Sequence, residues 1–302
     1  MQFNFALQDE FEQDEPQLAS ARGAAPFKSQ LLKWIGNKQR FAHEIIGFFP
    51  DNFEVYHEPF LGSGAVLGTL APKKAEASDA FEPLVEIWQT LSEDPARVKR
   101  WYRDRWTDAH SSEPKLGYEK IKACFNRKQN GADLLYLSRS CYGGVVRFRQ
   151  RDGFMSTPCG PHKAMHPDKF DERVDEWSRR TKGTRFFKRD FSESIDRAGE
   201  GDVVYCDPPY SHSQTILYGA QRFDLEQLFK SIESAKRRGA FVALSIDGTK
   251  KSGDQQLHIE WPRSVFAREV SVNVGRSMLR RLQMNGQTLE AECVTDRLLL
   301  TH

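Results

Sequence analysis

The chain has 302 residues, of which 39% are hydrophobic and 28% charged, with a net charge of +2. That balance fits one large folded domain or two modest ones and excludes a disordered or low-complexity chain. No apolar stretch approaches the roughly 20 residues of a membrane span, and the five cysteines lie far apart without the CxxC spacing of a zinc site or a disulfide framework.

Residues 1–27 are polar and aperiodic and read as a mobile arm, with acid gathered at Asp9, Glu10, Glu12, Asp14 and Glu15. No cationic start precedes an apolar block there, so a secretory signal is not expected, and the scattered cysteines point to a reducing cytosol. Phe41, Ile45 and Phe49 recur at helical spacing, and Pro50 ends that helix. Phe53–His57 reads as a short strand, Glu58–Gly64 as a turn, and Ala65–Leu70 as the start of a helix. Lys74–Ser78 is a weaker strand with Asp79 at its end, and Phe81–Leu91 is helical.

Near Asp94 the character changes. Up to about Trp177 the chain is rich in Arg, Lys and aromatic residues, and its periodic segments, such as Gly131–Ser140, are helical. Cys141–Pro167 is loop-like, with Gly143-Gly144, Asp152-Gly153 and Gly160-Pro161. Strand character returns at Thr184–Lys188 and Asp202–Cys206. Leu225, Leu228, Phe229 and Ile232 mark an amphipathic helix. Ala240–Ile246 is a buried strand, and Phe266–Val274 with Cys293–Leu300 resembles a closing antiparallel pair. Strand–helix alternation predicts a mostly parallel sheet with helices on both faces, interrupted by a basic insertion.

Three elements carry chemistry. Asp207-Pro208-Pro209-Tyr210 closes the apolar run Val203–Cys206. It sets a carboxylate and an aromatic ring on a stiff turn at a strand end, where open α/β sheets hold ligands. Phe60-Leu61-Gly62-Ser63-Gly64 is a glycine turn between strand and helix that lets a ligand approach the backbone. Asp79, ending the next strand, suits ribose hydroxyls. Trp34 and Lys38, in Trp-Ile-Gly-Asn-Lys, add a flat face and a cation for a carboxylate. A ligand with ribose, amine and carboxylate, in a chain without a P-loop, points to S-adenosylmethionine rather than NAD.

With these residues in place, the chain resembles the Dam-type (D12 class, alpha-group) site-specific DNA adenine N6-methyltransferases from about Leu31 onward. The likeness rests on Lys33–Lys38, Glu58–Gly64, Ser78-Asp79, Leu137-Ser138-Arg139, Asp190-Phe191 and Asp207–Tyr210, in that order. The resemblance implies a Rossmann-like S-adenosylmethionine-dependent sheet with an antiparallel C-terminal strand and an inserted, mainly helical target-recognition domain. It divides the chain into the arm 1–27, a discontinuous catalytic domain of 28–93 and 178–302, and a DNA-binding domain of 94–177.

The implied cofactor residues are Trp34, Lys38, Glu58, Phe60, Gly62, Gly64, Asp79, Asp190, Phe191 and Asp207. Asp190 would take the cofactor adenine's amine, with Phe191 beside the ring. The implied catalytic residues are Asp207 and the Pro208 carbonyl, as acceptors for the N6 amine, and Tyr210, stacked on a base flipped from the duplex. No metal is expected. Arg139, Tyr142, Arg147, Arg149 and Arg276 are expected to bind DNA, with Arg280 and Arg281 adding phosphate contacts. Arg147 is expected to read guanine O6 and N7, and Tyr142 to fill the vacated stack. The partner is double-stranded DNA, alongside a separately encoded cognate restriction endonuclease. A monomer or weak dimer in the bacterial or phage-infected cytoplasm, held at the nucleoid by DNA, completes the expectation.

Ile35 and Asn37 depart from the family's usual Trp-Ala-Gly-Gly-Lys, and Tyr142-Gly143-Gly144 departs from the Tyr-Asn-Gly of relatives of Dam itself, so the resemblance does not carry GATC over as the recognition sequence. Asp207 favours adenine over the alternative of cytosine N4, and the basic insertion, which resembles the family's DNA-reading region, favours DNA over RNA adenine. The intact Asp207–Tyr210 element and glycine turn argue against a catalytically silent DNA-binding module.

Overall fold

The computed structural model describes residues 24–111, 113–209, 223–246, 261–275 and 294–302. The arm up to residue 23, Tyr210, the arginines at 276, 280 and 281, and Cys293 lie outside the described residues. The strands β1 (Tyr56–Glu58), β2 (Ala75–Asp79), β3 (Thr184–Lys188), β4 (Val203–Cys206), β5 (Phe241–Ile246), β6 (Arg268–Gly275) and β7 (Val294–Leu300) form one sheet. Its order is β3-β2-β1-β4-β5-β7-β6. The first five run parallel. β7 is inserted antiparallel between β5 and β6, as the closing pair predicted.

β1 and β4 are neighbours in the centre, and the chain winds outward from them in opposite directions. Their carboxyl ends form the topological switch point of the sheet, where a crevice opens. β4 is buried at all four positions, which explains its unbroken apolar run: a parallel strand is covered on both faces. Side chains alternate between two cores. Tyr56, Val203, Tyr205 and Ala243 face one layer, and Val204, Cys206, Val242 and Leu244 face the other.

The second layer is closed by α8 (Phe191–Ile195) and α9 (Leu225–Arg237). The first carries α1 (Ala42–Gly47), α2 (Ala65–Leu70), α3 (Glu82–Glu93) and the insertion. The insertion is mainly helical, with α4 (Pro95–His110), α5 (Pro114–Arg127), α6 (Gly131–Ser140) and α7 (Pro167–Arg180), and between α6 and α7 a hairpin loop that begins with a short 3-10 turn at Tyr142–Gly144. Sequence defines the helix starts. A proline occupies the first turn of α3, α4, α5 and α7, where its missing N–H costs nothing. Asp94 caps α4 through the Arg97 N–H at 3.0 Å, and Asn130 caps α6 through the Asp133 N–H at 2.8 Å.

The insertion shares the sheet's core instead of standing apart on a linker. Fully buried Trp88 of α3 and Trp177 of α7 meet with ring centroids 5.2 Å apart. At about 25 cal/mol/Å² and 150–250 Å² per aromatic side chain, each contributes roughly 4–6 kcal/mol. Gly68 lets α2 approach: a Cβ there would stand 2.4 Å from the Trp177 ring. Two predicted elements shift. The first strand is Tyr56–Glu58 rather than Phe53–His57, and α1 stops at Gly47, before Pro50. Among the described residues no helix is long and apolar enough to cross a membrane.

Candidate active site

The glycine turn leaves β1 and starts α2 in the conformation only glycine adopts readily. Gly62 has φ of 47° and Gly64 of 62°. Asp79, at the end of β2, holds the turn: its carboxylate accepts the Gly62 N–H at 3.0 Å and the Phe81 N–H at 3.0 Å. Burial raises the Asp79 pKa, against the pull of its backbone donors. Trp34 is buried over the turn, and a Cβ on Gly62 would stand 3.2 Å from its ring. Trp34 also stacks on Phe81 at 6.2 Å. Gly64 lies behind the turn, where a Cβ would press on Trp88 at 3.1 Å.

Glu58 is 3% exposed. One carboxylate oxygen accepts the Tyr56 hydroxyl at 2.7 Å and the Leu67 N–H at 2.9 Å. Burial pushes its pKa up to about 8, against those two donors, and the Asp207 carboxylate adds to the rise.

Beside it, at the end of β4, Asp207 pairs with Lys38 at 2.8 Å, with 21% and 11% of the two side chains exposed. Lys38 also donates to the Gly36 carbonyl at 3.2 Å. Pro208 is buried. Cys206 is fully buried in the second core, and desolvation raises its pKa strongly, so it is a packing residue and no nucleophile.

The remaining wall comes from β3 and α8. Asp190 caps α8, one carboxylate oxygen accepting the Ser192 N–H at 2.9 Å and its hydroxyl at 2.6 Å. Phe191 stacks on Phe60 at 5.3 Å, and Phe223 closes on Phe60 at 6.0 Å, making an aromatic slot. These pieces surround one cavity of about 730 Å³, within the roughly 300–1,000 Å³ of sites that bury a small molecule. It gathers Trp34, Lys38, Glu58, Phe60, Gly62 and Asp79 on one side and Asp190, Phe191, Asp207 and Pro208 on the other. Phe81, Phe148, Gln129 and Gly153 also line it. Those four were missed in the sequence, and the last three come from the insertion, whose turn reaches over the cavity.

The basic residues of the insertion divide. Tyr142 is 45% exposed, and Arg147 is exposed with no partner for its guanidinium among the described residues. Arg149 pairs with Asp152 at 2.8 Å and covers the Phe154 ring at 5.2 Å. Arg139, expected at the DNA, is held against the chain itself. Its guanidinium donates to the Gln30 and Leu31 carbonyls at 2.8 and 3.0 Å and lies over Phe170, and burial lowers its pKa to about 10. It clamps the start of the described chain to α6.

Residues 34–278 match the family model of the D12 class N6 adenine-specific DNA methyltransferase. The chain is 27% identical over 78% of its length to a DNA N-6-adenine-methyltransferase of Escherichia phage P1, of which it spans 32%. It is 28% identical over 71% of its length to a Type II methyltransferase of Methanocaldococcus jannaschii, spanning 83% of that protein. It is 25% identical over 85% of its length to the DNA adenine methylase of Escherichia coli K12, spanning 90% of it. The chain therefore spans about a third of the phage protein and most of the other two.

Proposed function

The chain belongs to the D12 class N6 adenine-specific DNA methyltransferases, and on that premise we propose that it methylates N6 of an adenine turned out of double-stranded DNA, with S-adenosylmethionine as donor. One observation supports this most: the glycine turn, Asp79, Asp190 and Asp207 open onto a single cavity at the β1/β4 switch point.

The residues present suit that donor. The free lone pairs of Asp79, beyond the two N–H groups it already holds, would take ribose hydroxyls. The oxygen of Asp190 not used in capping α8 would accept an adenine amine, and the Phe60–Phe191–Phe223 slot would hold the ring. The backbone at Gly62 leaves room for close approach, and Lys38 would face a carboxylate. The bound donor supplies an electrophilic methyl group.

Adenine N6 is conjugated into its ring and is a poor nucleophile. Asp207 and the Pro208 carbonyl, on a turn fixed by two prolines, would accept its two hydrogens and draw the nitrogen toward tetrahedral geometry. Catalysis then rests on positioning and electrostatics, with no covalent enzyme intermediate. Tyr210, next in the chain, would stack on the base. Residues 28–93 and 178–302 would carry this chemistry, and 94–177 would read the duplex, with Tyr142, Arg147 and Arg149 at the DNA and Arg276 joining them.

The test is modified-base sequencing of DNA from cells expressing the protein or Asp207→Ala. N6-methyladenine confined to one motif, lost in the variant with DNA binding retained, is the expected result. Methylation surviving in Asp207→Ala, or appearing on cytosine, would overturn the reading.

A further inference from the structure

The five cysteines are scattered in sequence, yet the fold brings two of them face to face. Cys141 follows α6, and Cys159 stands where the loop after it returns. They oppose each other as an isolated antiparallel bridge. The Tyr142 N–H donates to the Pro158 carbonyl at 2.9 Å, and the Gly160 N–H to the Ser140 carbonyl at 2.8 Å. Hydrogen bonds flanking a pair in this way define the non-hydrogen-bonded type. In such a pair the Cα atoms approach to about 4.5 Å and the side chains stand close on one face. That spacing falls within the roughly 4.4–6.8 Å that a disulfide requires.

Both thiols are free, Cys141 buried and Cys159 half-buried. The segment between them carries Tyr142, Arg147 and Arg149, and a second bridge, Phe148 to Met155, continues the hairpin. Burial pushes the Cys141 pKa up to about 12 and raises that of Cys159. Both are therefore protonated near neutral pH, which keeps the pair reduced until an oxidant is abundant.

We propose that Cys141 and Cys159 form a reversible disulfide that staples the base of the hairpin from Tyr142 to Pro158. The oxidant is a hydroperoxide. The more accessible Cys159 thiolate attacks its terminal oxygen, breaking the O–O bond, giving the sulfenic acid and releasing an alcohol, or water from hydrogen peroxide. The Cys141 thiolate then attacks the Cys159 sulfur, forming the S–S bond and expelling hydroxide, which takes up a proton as water. Two thiols are oxidised and one peroxide is reduced. Because the two backbones are already paired at this position, the hairpin keeps its shape and loses freedom to open.

The full-length protein is treated with hydrogen peroxide, quenched with an alkylating agent and mapped by mass spectrometry without reduction. The expected product is a Cys141–Cys159 peptide cross-link, reversed by dithiothreitol, present in Cys124→Ser and absent in Cys159→Ser. Native tryptic cleavage after Arg147, Arg149 and Arg151 should slow several-fold in the oxidised protein, since a closed loop opens less often. Cys141 and Cys159 both still alkylated after oxidation, a cross-link to Cys124 instead, or an unchanged cleavage rate in the cross-linked protein would overturn it.

Discussion

Glu58→Gln isolates the most perturbed carboxyl of the cavity. The folded protein holds the Glu58 pKa at about 8, against an ordinary value of 4.5. Between those values the folded state keeps a proton that the unfolded chain has released, so stability falls as pH rises through the window. With 2.303RT near 1.4 kcal/mol per pH unit, the cost of this one group grows by roughly 2 kcal/mol from about pH 6 to about pH 8. Glutamine cannot ionise, and its carbonyl can still accept the Tyr56 hydroxyl and the Leu67 N–H that Glu58 holds. Urea unfolding of both proteins across this pH range should therefore show the variant gaining on the parent by that amount. Titrating groups that do not interact with Glu58 cancel in the difference. A constant difference between the two proteins would mean that Glu58 is already ionised near neutral pH and that its burial costs far less than the geometry implies.

Gly68→Ala sets helix propensity against packing. Alanine favours the helix by up to about 1 kcal/mol, but its Cβ would stand 2.4 Å from the Trp177 ring, and overpacking costs about 1–3 kcal/mol. The urea midpoint should fall, and a rise would show that α2 can move away from Trp177. Gly62→Ala forces a side chain to φ of 47° beside Trp34, a strain of about 1–2 kcal/mol. It should raise KM for the methyl donor more than it lowers kcat, and an unchanged KM in steady-state assays would remove the turn from the donor site. Arg147→Ala and Arg139→Ala should separate cleanly. The first is expected to weaken specific DNA binding by about 1–3 kcal/mol with little change in thermal midpoint. The second should destabilise the fold by about 1–3 kcal/mol, because two carbonyls lose their donor. Fluorescence anisotropy on labelled duplex and thermal melts check both, and the opposite pattern would exchange their roles.

The parallel sheet was legible because its strands are covered on both faces, so Val203–Cys206 and Phe241–Ile246 read as apolar runs bounded by turns. The cavity was legible because glycines, aspartates and prolines at strand ends have few other uses there. The helices of the insertion were harder to see. Each buries a narrow stripe, Val98 and Tyr102, Tyr118 and Phe125, or Phe170, Val174 and Trp177, within a strongly charged surround. The contacts of Arg139 were not legible for a physical reason. Sequence gives an arginine's charge but not its depth, and this one lies against backbone carbonyls left over where the chain approaches α6. Gln129 and Gly153 carry no chemical signature, and only the fold brings the α5–α6 connection and the hairpin together at the cavity.

The balance of charge around the cavity decides which ligand it can hold. Its cations are already engaged: Lys38 holds Asp207 at 2.8 Å, Lys188 holds Glu82 at 2.7 Å, and Arg189 lies over the Phe187 ring at 3.6 Å and reaches Glu76 at 3.4 Å. Of its carboxyl groups, Asp207 is matched by Lys38 and burial keeps Glu58 protonated near neutral pH, so Asp79 and Asp190 give the wall its negative charge. A unit charge about 4 Å from one of them, at an effective dielectric of 20, is shifted by about 4 kcal/mol, favourably for a cation and unfavourably for an anion. A donor with a sulfonium and an ammonium suits that wall, and a pyrophosphate does not. Calorimetric titration should therefore detect S-adenosylmethionine or its demethylated product at micromolar concentration. NAD at a hundredfold excess should neither bind nor displace it. Competition by NAD would show that the Gly62–Gly64 turn accepts phosphate and that the acidic wall does not govern the choice.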